Sequence, residues 1–307
     1  MPGPRVTGLR GRLPVKPPAE RFPLGYLDAY LSEPLPVPVY PIDVTGGIGA
    51  DAWGMLGNGP DPTCTTYPNG VGDCSFAAEL HYRMSKAASY GETEQFPDSD
   101  AVVAAYLAYD DGQDVGANLA DLLLSWYHSG VIAGFAPVDY TDPLAVDAAL
   151  QAFKGIYVGV DLTDDADELF GQGSPWTVSA GQQPDPNDGH CVVGVKATAT
   201  DRTYVTWGAE QAADAGWSAA CLQEAWVILT STEDAVAAGV DLAALTADID
   251  ALGGTPPAPP APVTPPVPPP VSPETLLQEL AAKVRAIAST TGQDINNVIS
   301  WLHAHGI

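Results

Sequence analysis

Long apolar runs are missing from this 307-residue chain. No stretch of about 18 apolar residues offers a membrane-spanning helix. The first residues, Met-Pro-Gly-Pro-Arg, lack the apolar core of a secretory signal. Cysteine is scarce: Cys64, Cys74, Cys191 and Cys221 are the whole set, too few for a disulfide scaffold. They contain no Cys-x-x-Cys, which argues against a zinc site, although a Cys64–Cys74 bridge stays open. Basic residues are also few, 12 against 38 acidic. Nothing in the chain calls for a cofactor. The Asp110–Asp114 turn lacks the alternate-ligand spacing and terminal Glu of an EF-hand loop, so it reads as a solvated acidic turn. No wall-binding repeat is recognisable.

Charge is unevenly placed. Arg5, Arg10, Arg12, Lys16 and Arg21 face only Glu20 in the first 21 residues. The following body is strongly acidic, which disfavours nucleic acid as a partner. Residues 1–45 are rich in proline and read as an extended arm, with a short helix around Tyr26, Leu27, Tyr30 and Leu31. The basic arm either lies on an acidic face, its own or a neighbour's, or is a solvated tail.

The chemistry-bearing stretch is Gly72-Asp73-Cys74-Ser75-Phe76-Ala77-Ala78-Glu79-Leu80-His81. Phe76, Ala77, Leu80 and Met84 recur at helical spacing, so Cys74 falls on the first turn of a helix. The helix dipole favours thiolate there. Far downstream, Gly189-His190-Cys191-Val192-Val193-Gly194-Val195 places a histidine at the mouth of a strand. Nucleophile first and base second is the order of a Cys–His hydrolase. Cys191 should point away from the neighbouring histidine and read as core.

These stretches, with Tyr204-Val205-Thr206-Trp207-Gly208, resemble the papain-like cysteine peptidase superfamily over roughly residues 50–230. The resemblance implies Cys74 as nucleophile, His190 as base, and an upstream amide side chain at the oxyanion. Two candidates stand for the oxyanion, Asn69 and, if part of Gly59–Gly70 is an insertion, Asn58. The family's third member, Asn or Asp, falls on Val205 or Thr206 here. Valine cannot bond the imidazole Nδ1, and threonine does so weakly, which leaves in essence a dyad. The whole layout also resembles uncharacterised proteins of actinobacterial phages, implying a virion or lysis setting.

Along the body, helices are expected over Asp98–Tyr109, Ala117–His128 and Pro143–Phe153. Strands are expected over Gly155–Leu162, Cys191–Ala197, Thr203–Trp207 and Ala225–Thr230. Acidic Asp164–Glu168 is a loop or short helix, and a weak helix over Asp234–Leu252 closes the body. The fold class expected is α+β, papain-like, a helical half before an antiparallel half, over residues 46–254. Residues 255–272 read as a proline spacer, roughly 55–60 Å if extended. Residues 273–307 read as a two-helix module whose apolar face is too large to stand alone. The arm and this module suggest protein partners, with phage structural proteins among the candidates. Two functions follow: a hydrolase acting on a peptide or cell-wall amide, or a catalytically silent fold used for assembly.

Overall fold

The computed structural model describes residues 7–14, 25–92 and 95–253. The proline spacer and the C-terminal helix pair expected from the sequence lie outside the described residues.

A seven-stranded antiparallel sheet organises the body, in the order β2-β7-β3-β4-β5-β6 with β1 also pairing β4. The strands are β1 (Ile42–Asp43), β2 (Gly134–Val138), β3 (Ile156–Asp161), β4 (Gly189–Ala197), β5 (Asp201–Thr206), β6 (Ala209–Asp214) and β7 (Leu222–Leu229). β3 is buried at all six positions. Its near-continuous apolar run, Ile-Tyr-Val-Gly-Val, is what a strand covered on both faces needs. The architecture is α+β, but the sheet is not confined to the second half of the chain, because β1 and β2 come from the first.

Helices form where the sequence supplies both an apolar face and a cap. α1 (Cys74–Ser89) packs on β3 and β4, and the Tyr157 hydroxyl donates to the Ser75 carbonyl at 3.0 Å across that interface. α2 (Ser99–Tyr109) is capped by Asp98, α3 (Leu119–His128) by Asn118, and α4 (Pro143–Phe153) by Asp142 with proline in its first turn. α5 is Ala166–Gln172 and α6 is Ala215–Cys221. The closing helix divides in two, α7 (Thr232–Ala237) and α8 (Leu242–Gly253). The break falls at Gly239, whose φ of +71° ends a helix at little steric cost.

The described parts of the arm, residues 7–14 and 25–45, lie on their own body. A 3-10 turn at Leu27–Tyr30 buries Leu27 and Tyr30. The Tyr30 hydroxyl donates to Asp248 at 2.8 Å, and the Tyr40 hydroxyl to Asp147 at 2.6 Å. Ile42 pairs with Ala197 in the sheet. No helix of the described residues is long and apolar enough to cross a membrane.

Candidate active site

Cys74 opens α1, and the loop before it is shaped by Gly57–Gly72. In that loop Asp61 accepts from the Thr63 amide at 2.8 Å, while Gly72 donates to Asp114 at 2.9 Å. Asp114 also accepts from the Tyr106 hydroxyl at 2.7 Å. The acidic turn expected to be solvated therefore braces the loop before Cys74 through its last residue. All four cysteines are free thiols and all are buried. The possible Cys64–Cys74 bridge is not formed: the Cys64 thiol is directed to Asp100 at 3.5 Å.

His190 lies on β4 at 1 % exposure. Its Nε2 is 2.7 Å from the Thr206 hydroxyl on β5, and its Nδ1 has no hydrogen-bond partner. The choice between Val205 and Thr206 is settled by pairing register. Val205 pairs with Val193 and is buried in the core, so the next residue turns to the histidine. The nitrogen engaged is Nε2, whereas the sequence reading had placed this bond at Nδ1. Thr206 is followed by a two-residue hairpin, Trp207-Gly208, with φ of +45° and +76°. Both residues have positive φ, as a type I′ turn requires. The turn lays the Trp207 indole on the imidazole, centroids 4.8 Å apart and planes 28° apart.

The backbone N–H groups of Cys191 and Gly11 favour the Cys74 thiolate, but burial outweighs them and pushes the thiol up to about 12. Buried Asp73 next door also raises it. Burial drives the His190 pKa well below the usual imidazole value, and the charges of Arg10 and Arg12 add to the shift. Thiol and imidazole are therefore both neutral in this state. Cys191, expected as plain core, is buried on the α1 side of the strand and close enough to Cys74 for each to feel the other's charge.

Asn58 is 2 % exposed, and its side-chain amide donates to the Leu9 carbonyl at 3.0 Å and to the Val71 carbonyl at 3.3 Å. Asn69 is exposed, in the turn closed by the Gly70 amide on the Tyr67 carbonyl. Of the two oxyanion candidates, only Asn58 is buried and touches the arm segment that covers Cys74. The spacing had favoured neither, because a proline-rich excursion between them hides how the chain doubles back.

The site is closed by residues 7–14. The Leu9 amide donates to Asn58 at 3.2 Å, the Arg12 amide to Gly189 at 3.3 Å and the Leu13 amide to Ala117 at 2.9 Å. The Ala117 amide returns a bond to the Gly11 carbonyl at 2.6 Å. Arg10 pairs with Asp167 and Asp188, each at 2.5 Å, and its guanidinium sits 5.0 Å over the Trp207 ring. Arg12, its side chain 1 % exposed, pairs with Asp161 and, at 3.2 Å, with Glu224. The sequence left open an acidic face, the arm's own or a neighbour's, and a solvated tail; Arg10 and Arg12 lie on acidic residues of their own body, beside the candidate site.

No protein-family model matches the chain, and no curated protein matches it in sequence. Among solved structures the chain is similar to xylellain, a cysteine protease from Xylella fastidiosa. The two share 12% identity with a TM-score of 0.49, over 75% of this chain and 99% of that one.

Proposed function

We propose that the chain is a cysteine hydrolase of papain-like type, cleaving peptide or amide bonds with Cys74 as nucleophile and His190 as base. The observation that carries this reading is the His190–Thr206 bond at 2.7 Å with Nδ1 left open. When Nε2–H donates to the threonine hydroxyl, the neutral ring keeps its lone pair on Nδ1. That nitrogen takes the thiol proton, Cys74 attacks the substrate carbonyl, and the imidazolium returns the proton to the leaving amine. The Asn58 amide is the side-chain donor available for the oxyanion. In this reading the buried, neutral thiol and imidazole belong to a closed state of the enzyme.

A second reading, a silent fold used in assembly, is favoured by that same closure. For that reading the virion or lysis setting rests on the resemblance of the sequence layout alone. Labelling with a peptidyl thiol-reactive probe, followed by mapping of the modified residue, separates the two. The hydrolase reading expects label on Cys74 that is lost in His190→Ala. Labelling of Cys74 that is indifferent to His190→Ala sinks it.

A further inference from the structure

We propose that the cleft over Cys74 is a binding site for basic peptides of the pattern Arg-x-Arg with glycine at the centre, and that residues 7–14 are its built-in occupant. The inference rests on the hydrolase reading only for the word substrate; the binding stands without it.

Three features of the seated segment argue for recognition rather than incidental packing. First, the backbone is read from both sides, by Asn58 and Ala117 through the odd-numbered residues Leu9, Gly11 and Leu13, and by the Gly189 carbonyl through the Arg12 amide. Main-chain bonding of this kind holds an extended peptide whatever its side chains. Second, the two arginines occupy separate acidic sockets. Arg10 enters between Asp167 and Asp188 under the Trp207 ring, and Arg12 between Asp161 and Glu224, where its Nε also donates to the Val160 carbonyl at 3.3 Å. Glu224 is fixed in turn by the Trp226 indole N–H at 2.9 Å. Emptied, each socket would leave a carboxylate, Asp188 in one and Asp161 in the other, that burial already disfavours as an anion, so an apolar or acidic occupant is rejected. Third, the centre admits only glycine. A Cβ on Gly11 would lie 1.5 Å from the Gly72 carbonyl oxygen.

The arm sits in a register that spares it. The Gly11 amide is the arm's N–H that acts on the Cys74 thiol, while the Asn58 donor holds the carbonyl of Leu9, two residues earlier. Nucleophile and oxyanion donor thus address different peptide units, and the segment blocks the cleft without being turned over.

The test uses the full chain carrying Gly11→Leu, which expels the arm but leaves every cleft residue in place. Alkylation of Cys74 by iodoacetamide, read by mass spectrometry, should be at least about tenfold faster than in the unmodified chain, the scale of a local opening. A synthetic peptide of residues 7–14, Thr-Gly-Leu-Arg-Gly-Arg-Leu-Pro, should restore protection. The same peptide with both arginines replaced by glutamate should not. Equal protection by the two peptides, or none by either, overturns the proposal. So does a Gly11→Leu chain as slow to react as its parent while a circular dichroism spectrum shows it folded. Should Gly11→Leu unfold the chain, Arg10→Ala, which leaves the half-exposed socket to water, is read in the same assay with the same expectations. Because protection needs no turnover, a chain that binds the peptide and cleaves no amide keeps the sockets and loses only the hydrolase reading.

Discussion

Thr206 carries more of the site than its type suggests. Its hydroxyl is the bond partner found for His190 among the described residues, so Thr206→Val leaves a buried ring nitrogen unsatisfied, a loss of about 1–3 kcal/mol. We expect peptidyl-probe labelling of Cys74 to slow by about tenfold in Thr206→Val and to recover in Thr206→Asn, which restores a carbonyl acceptor. Unchanged labelling in the valine variant removes Thr206 from the machinery. His81 offers a second test. It is buried, with Nε2 3.0 Å from the Gly54 carbonyl, and burial lowers its pKa to about 4. The folded state resists protonating it while the unfolded chain does so near pH 6.5. Its contribution is therefore present above pH 6.5 and lost as pH falls towards 4, on the order of 3 kcal/mol. His190 adds in the same direction, and buried Asp73, whose carboxyl pKa is raised by burial, acts in the opposite one. Urea melts at pH 7 and pH 4.5 should show a smaller loss in His81→Gln than in the parent. At this scale the residue types and their order were legible in the sequence. That Thr206 rather than Val205 meets the histidine, at Nε2 rather than Nδ1, and that Asn58 rather than Asn69 is buried, needed strand register and chain reversal, which no local pattern encodes.

At the scale of elements, the Arg12–Asp161–Glu224 cluster joins the arm to β3 and β7. Replacing Arg12 by methionine keeps the stem and removes the charge, stranding two buried carboxylates. We expect a destabilisation of about 3–5 kcal/mol by urea unfolding. The triple change to Met, Asn and Gln should recover much of it. If Arg12→Met alone is neutral, the arm does not contribute to the fold. The elements themselves were read well where pattern was strong: α4 begins and ends where its caps and apolar spacing place it. β2 and β6 were missed for reasons of composition. β2 contains Pro137, and β6 is Ala-Glu-Gln-Ala-Ala-Asp, poor in strand formers. Both are edge strands, where a missing donor or a weak former costs least.

Across the whole molecule, the basic segment and the acidic body are one folded unit through residues 7–14, and this changes what salt should do. From the sequence, an exposed arm on an acidic surface would loosen as salt screens it within about 10 Å at 0.1 M. In the structure Arg12 is out of solvent and Arg10 half out. Raising salt from 0.1 to 1 M should therefore change Cys74 alkylation by less than about twofold. A rise of tenfold or more would mean that surface charge alone holds the arm.

The cation stacked over Trp207 has an optical consequence. Arg10 and the imidazole both lie against one indole of a protein that has seven tryptophans. With the arm seated, that indole is 4 % exposed; with the arm away, one face meets water. Its emission should shift to longer wavelength in Gly11→Leu and return when the arginine peptide is added. Mixed rapidly and followed in time, the unlabelled protein would then report the rate at which its own cover opens.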